Sequence, residues 1–270
     1  MKAYRALQKA RSIVEGDYGE QYAHLRDYLV ELKRANPGPL KSGFQALGRN
    51  LLGLDGAFMK EPATGQLLTA VGVDSNNGIY PLAYAIVEKE TYNSWLWFLN
   101  NMGEDLGLNE RSNFTFISDR QKGLLPAIEK LYPCVEHRYC LRHIHEKMKK
   151  TWSGLAYKQM LWKCATSTTV PQFEQEMQKL KEFYEGCRAM SDVLLSNMCE
   201  ILNRWLVDAR DKPIITALEY IREYLMKKIV TVNNMISKSD GPLTPGATKV
   251  FDGFVLVESG NSLQCHVNMQ

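Results

Sequence analysis

Leu51-Leu52-Gly53-Leu54-Asp55-Gly56-Ala57-Phe58-Met59 decides how the chain is read. The apolar residues flanking Asp55 are continuous rather than alternating, the pattern of a β-strand covered on both faces. A carboxylate inside such a strand is costly, because an ionised carboxylate withdrawn from water needs a cation or donors to compensate it. On spacing alone a second reading stays open. Asp-Gly between apolar residues is also the signature of a tight hairpin turn.

Working outward, residues 67–73 and 79–87 read as two more strands, joined by Asp74-Ser75-Asn76-Asn77-Gly78. Asn77-Gly78 is a strong turn signal, so these two strands are expected to form an antiparallel hairpin with Asp74 as a turn residue. Residues 92–106 read as a helix with Trp95, Trp97, Phe98 and Met102 supplying bulk. A strand (114–118), a helix (124–132) and a short strand (135–139) follow, and the texture from 141 to about 230 is helical. Upstream, a short helix at 3–14 precedes an amphipathic helix at 17–35. In the latter, Asp17 and Glu20 make a capping box, Tyr18, Tyr22, Leu25, Tyr28, Leu29 and Leu32 form the apolar stripe, and Asn36-Pro37-Gly38 is the stop. His24 falls on that helix's surface. Beyond Lys238 the chain is Gly/Pro-rich, with one weak strand at 254–258 and a polar, poorly ordered end. Strands, a helix, then alternating strand and helix define an α/β (α+β) architecture, a mixed β-sheet core flanked by helices.

Two further acids stand out. Asp119 ends the run Phe114-Thr115-Phe116-Ile117-Ser118-Asp119, and a polar residue at the C-terminal end of a strand, beside a helix start, is where α/β sheets place their chemistry. The alternative is a plain helix N-cap. Glu200 falls in a predicted helix, 194–210, whose apolar stripe is Leu194, Met198, Ile201, Leu202, Trp205, Leu206 and Ala209. Asn197, Glu200, Asn203 and Arg204 make a second, polar stripe, which a solvated face would also produce. Convergence of Asp55, Asp119 and Glu200 would give hard oxygen ligands suited to Mg²⁺ or Mn²⁺, and so phosphoryl-transfer chemistry on nucleic acid.

Composition sets the limits. The 270 residues carry a net charge of only +3, with 45% hydrophobic and 23% charged residues, so the chain has an ordinary globular make-up and is no polycation. Contact with nucleic acid must come from a local patch. The candidate is Arg138, Arg142, Lys147, Lys149, Lys150, Lys158 and Lys163, interrupted by one acid, Glu146, although a solvated helix face has the same look. The six cysteines show no Cys-x-x-Cys pair and read as reduced thiols. No segment has signal-peptide order or membrane-spanning length. The protein is therefore expected to have no membrane partner.

Taken together, these segments resemble the transposases of plant Mutator-like elements, the MULE group of the DDE/RNase H-like superfamily. The resemblance is carried by residues 53–60, 66–77, 80–88 and 94–99, by Ile117-Ser118-Asp119-Arg120-Gln121-Lys122-Gly123-Leu124, by Cys140-Leu141-Arg142-His143 and by residues 197–205 and 209–214. It covers roughly 17–230. It implies an RNase H-like core, with Asp55 on the first strand, Asp119 after the fourth, and Glu200 on a helix beyond an all-helical insertion. The three acids would then be catalytic and hold two divalent ions, Mg²⁺ or Mn²⁺, about 4 Å apart. The implied organisation is an N-terminal helical segment (1–38), the first part of the core (39–150), the insertion (151–190), the acidic-helix part of the core (191–235) and a tail (236–270).

Cys140-x-x-His143 matches an element of the same superfamily. By itself it is half a zinc site, so packing or DNA contact is expected rather than zinc. The implied partner is DNA, both the terminal inverted repeats of the transposon and its target, with Arg138, Arg142, His143, Lys147, Lys149, Lys150 and Arg204 as the contacts. A nuclear location and a homo-oligomer are implied as well. Neither the N-terminal zinc-dependent module nor the C-terminal zinc finger usual in the family is recognisable, so a truncated or relic copy is expected. The competing expectation is a transposase-derived, non-enzymatic DNA-binding or regulatory protein.

Overall fold

The computed structural model describes residues 5–6, 9–10, 13–14, 16–35, 48–60, 64–74, 78–150, 154–183, 194–195, 204–238 and 248. In chain order the elements are α1 (Tyr18–Ala35), β1 (Gly48–Phe58), β2 (Gln66–Asp74), β3 (Ile79–Val87), α2 (Tyr92–Leu106), β4 (Thr115–Ser118), α3 (Leu124–Leu131), β5 (Glu136–Cys140), α4 (Leu141–Met148), α5 (Leu155–Ala165), α6 (Val170–Phe183), β6 (Leu194–Leu195) and α7 (Ile214–Ile236). The strands make one mixed sheet in the order β3-β2-β1-β4-β5-β6. β1, β2 and β3 are antiparallel neighbours, whereas β4 runs parallel to β1, β5 to β4 and β6 to β5. An antiparallel meander on one side of β1, with parallel strands reached through helical crossovers on the other, is the RNase H-like arrangement.

Alternation along the strands explains how both faces are covered. On one face Leu52, Leu54, Leu68, Ala70 and Phe116 pack against Trp95, Phe98, Leu99 and Met102 of α2 and Leu124, Ala127 and Ile128 of α3. Each Leu, Ile, Phe or Met among them, fully buried, contributes about 1.5–3 kcal/mol of transfer free energy. The α2 contacts recur at i, i+3, i+4 and i+7, which leaves Trp97 on the outer side, 55% exposed. On the other face Leu67, Val71, Val73 and Ile117 meet Leu206, Ala209 and Ile221. A third cluster, built on Leu141, Ile144, Tyr157, Leu161 and Leu180, joins α4, α5 and α6.

α1 closes over the start of α7. Gln21 Oε1 accepts the backbone N–H groups of Ile215 and Thr216 at 2.9 and 3.0 Å, and Gln21 Nε2 donates to Thr216 Oγ1 at 2.8 Å. The first N–H groups of a helix lack partners within it, and α7 begins behind Pro213 without a side-chain cap of its own. Gln21 supplies that cap from 195 residues away. Asp17 does the same locally for α1, its Oδ1 accepting from Gly19 and Glu20.

The five strands predicted between 51 and 139 and the β2–β3 hairpin hold, and Asp74 Oδ1 accepts the Gly78 N–H at 2.6 Å as a turn residue. The predicted helix 194–210 does not hold at its described ends. Leu194–Leu195 pair in parallel with Tyr139 and Cys140 of β5, and among the described residues Arg204 and Trp205 are helical before turns that run to Lys212. Two physical causes act here. The free edge of β5 offers ladder bonds to two apolar residues that suit a strand as well as a helix, and the residue before Pro213 is biased away from helical angles. Residues 184–193 and 196–203, with Glu200, Asn197 and Asn203, lie outside the described residues, as do the linker after 36 and the strand predicted at 254–258.

Candidate active site

β1 runs through Asp55-Gly56 without turning, and its pairing with β2 continues to Phe58 opposite Gln66. The hairpin alternative for Asp-Gly is thereby excluded. β1 and β4 pair with Gly53 opposite Ile117. Two residues further on, Asp55 comes level with Asp119, just past the end of β4. Alternation turns both side chains to the face of Val71 and Ile117. Asp55 is 6% exposed. Its Oδ1 accepts the Gly56 N–H at 3.0 Å, and its backbone carbonyl accepts the hydroxyl of buried Thr69 at 3.1 Å.

Asp119 is not the cap of α3. Gly123 is the N-cap, and the side chain of Gln121 does the capping, with Oε1 accepting from Gly123 N and from Leu124 N at 2.8 Å. The Asp119 carboxylate accepts the backbone N–H of Gln121 at 3.0 Å. Behind it, the buried Ser118 hydroxyl donates to the Asp119 carbonyl at 2.8 Å and lies 2.8 Å from His137 Nε2. Burial holds that imidazole below its ordinary value, against the pull of Asp119.

The electrostatics show which groups converge. Burial pushes Asp55 from 3.8 up to about 7; His143 opposes the rise, while Asp119 and Glu90 add to it. His143, at the start of α4, is pushed up to about 9, first by its hydrogen bond with Cys140, against burial, and then by Asp55 and Asp119. Among the described residues its buried Nδ1 has no hydrogen-bond partner. Cys140 is a buried cysteine at the end of β5, in no disulfide among the described residues. Asp55 and Asp119 therefore lie toward the C-terminal ends of β1 and β4, within electrostatic reach of His143, which is hydrogen-bonded to Cys140 at the end of β5; α/β sheets present chemistry at such strand ends.

Of the other expected residues, Arg138 is engaged by Glu136, its Nε donating at 2.7 Å. Arg142 is half-buried on α4, whereas Lys147, Lys149, Lys150 and Arg204 are exposed. Among the described residues no helix is long and apolar enough to cross a membrane.

One acid escaped the reading of the sequence. Glu90, in the link between β3 and α2, is half-buried, with its carboxyl raised by burial and by Asp119 and lowered by a hydrogen bond from Trp95. Its only sequence signal is its place, between a strand end and the helix cap Thr91. Among the described residues no three His, Cys, Asp or Glu side chains form a group that could hold a metal ion. Asp55 and Asp119 make a pair.

Strand order and two acids on adjacent parallel strand ends define an RNase H-like domain. Residues 51–147 match the MULE transposase domain. A relative, Protein FAR1-RELATED SEQUENCE 6 of Arabidopsis thaliana, is 25% identical over 170 residues, 63% of this chain but only 22% of the relative. The chain thus spans about a fifth of that protein's length. Among solved structures, the catalytic domain of Mos1 mariner transposase aligns at 13% identity over 56% of this chain and 87% of its own, with a TM-score of 0.24. A simian T-cell lymphotropic virus intasome in complex with the PP2A regulatory subunit B56 gamma aligns at 15% identity over 42% and 45%, also with a TM-score of 0.24. The fold assignment rests on strand order and direction, not on these two superpositions.

Proposed function

We propose that the chain is the catalytic core of a DDE-type transposase that cuts and joins DNA strands with divalent metal, working in the nucleus. The observation that carries this reading is the register of β1 and β4, which sets Asp55 and Asp119 side by side on one sheet face. The residues fit a hard cation. Both donors are carboxylates, and Asp55 is held near neutral affinity for its proton by burial and by neighbouring acids, as expected of carboxylates that share too little positive charge.

Asp55 and Asp119 would hold Mg²⁺ or Mn²⁺, and Glu200 is the proposed third ligand. Bound there, the metal supplies a Lewis acid for an attacking hydroxyl and a counter-charge for the leaving oxygen. The protein's own part is placement. The β1–β4 ladder fixes the spacing of the two carboxylates. Gly56 N–H and Gln121 N–H each hold one of their oxygens in place, and the packed sheet keeps water away from Asp55. His143 balances the acids with positive charge. The exposed Lys147, Lys149, Lys150 and Arg204, with Arg142, supply salt-sensitive phosphate contacts. In-line transfer at phosphorus needs mainly this positioning and charge neutralisation.

The test is a Mn²⁺-dependent nicking and strand-transfer assay on duplex DNA with wild type and Asp119→Asn. Activity that disappears in the variant supports the proposal, and equal activity in both refutes it. Binding of DNA by both proteins with nicking by neither would assign the chain to the non-enzymatic, DNA-binding reading.

A further inference from the structure

We propose that Glu90 is a positioning residue of the Asp55/Asp119 centre, its carboxylate seated behind strand β1 at Gly56 so that its charge draws a divalent cation to the two aspartates. The inference rests on the metal reading above. Its grounds are geometric. A β-carbon at residue 56 would stand 2.6 Å from Glu90 Oε1 and 2.8 Å from Oε2, so the glycine is what lets this carboxylate touch the strand beside Asp55. Neighbours in a strand face opposite ways, and Glu90 therefore approaches from the α2 side while the Asp55 carboxylate faces α7.

Two bonds fix Glu90 in place. Its Oε1 accepts the indole N–H of Trp95 at 3.1 Å, and Trp95 is wholly buried in the core beneath. Its backbone carbonyl accepts Gln121 Nε2 at 3.1 Å, and the same glutamine donates its backbone N–H to Asp119. Glu90 is thus braced against both acid-bearing segments at once, through Gly56 on β1 and through Gln121 beside Asp119.

A packing role alone does not account for a carboxylate here. The Trp95 indole needs one acceptor, which a neutral amide provides. A full negative charge, half-buried and close to two others, costs free energy in the absence of a cation. A divalent ion at Asp55 and Asp119 removes that cost and converts the charge into attraction. Because no three described side chains form a group that could hold an ion, Glu90 acts through its field and through Gly56 and Gln121, not as a ligand.

The experiment measures Mn²⁺ binding to the metal-free 270-residue chain by titration calorimetry. Glu90→Gln keeps the acceptor for Trp95 and removes the charge. It should bind Mn²⁺ about 10-fold more weakly, the loss typical of groups that support metal ligands from behind, with a melting temperature in EDTA no lower than wild type. Gly56→Ala, which pushes the carboxylate away, should weaken binding similarly and serves if the first variant does not fold. Asp119→Asn is the control. Wild-type affinity in Glu90→Gln or Gly56→Ala, with binding lost in Asp119→Asn, overturns the role of Glu90 and leaves the metal centre standing. Unchanged binding in Asp119→Asn overturns the metal centre itself.

Discussion

Replacing Asp55 with Asn should make the metal-free protein more stable at pH 8 and leave it nearly unchanged at pH 4. The folded state raises Asp55 from 3.8 to about 7, so the protein binds that proton more tightly folded than unfolded. The associated stability is fully present below about pH 4 and is lost as pH rises through 7. At about 1.4 kcal/mol per factor of ten, the displacement amounts to about 4 kcal/mol against the folded state at pH 8. Asparagine keeps the oxygen that accepts Gly56 N–H and removes the charge. Part of the gain is returned, because His143 loses one of the anions that hold it protonated and the new amide must find an acceptor. A net gain of about 1–3 kcal/mol, or about 5 °C in melting temperature for a chain of this size, is expected. The assay is thermal melting of wild type and variant in EDTA at pH 4 and pH 8. Equal stabilisation at both values would show that packing, not charge, is responsible, and no stabilisation at pH 8 would refute the claim that burial makes the Asp55 charge costly.

Gln21→Ala strips the cap from the start of α7, removing three hydrogen bonds; a loss of about 1–3 kcal/mol in urea unfolding is expected, and an unchanged midpoint would show that α1 does not brace α7 in solution. Gly103→Ala places a β-carbon 2.0 Å from the Tyr132 hydroxyl, which is bonded to the Leu99 carbonyl; it should cost about 1–3 kcal/mol, and Tyr132→Phe in the same chain should recover most of that loss, whereas an undiminished penalty in the double variant would locate the strain elsewhere.

The fold was legible where pattern and turn chemistry agree. Asn77-Gly78 with apolar runs on both sides placed the β2–β3 hairpin, and the i, i+3, i+4, i+7 spacing of Trp95, Phe98, Leu99 and Met102 placed α2 with its buried face. The pairing of Asp55 with Asp119 was legible only as a possibility. That they stand level depends on the β1–β4 register, a relation between segments far apart along the chain that no local signal encodes. Leu194-Leu195 was misread because an apolar pair suits a strand or a helix equally and the unpaired edge of β5 decided between them. Glu90 escaped notice because a glutamate in a strand-to-helix link looks like any surface acid until Gly56 and Trp95 come to lie against it.

The segment that carries the family signature is not, by its packing, a unit that closes on itself. Residues 51–147 contain Val71, Val73 and Ile117, but the side chains that shield them on the far face, Leu206, Ala209 and Ile221, belong to the final third of the chain. A fragment trimmed to the matched limits would present an oily sheet to water, and the aspartate pair would open to solvent on that same side. Leu206, Ala209 and Ile221, all outside the matched limits, are the wall that keeps this side of the sheet from water.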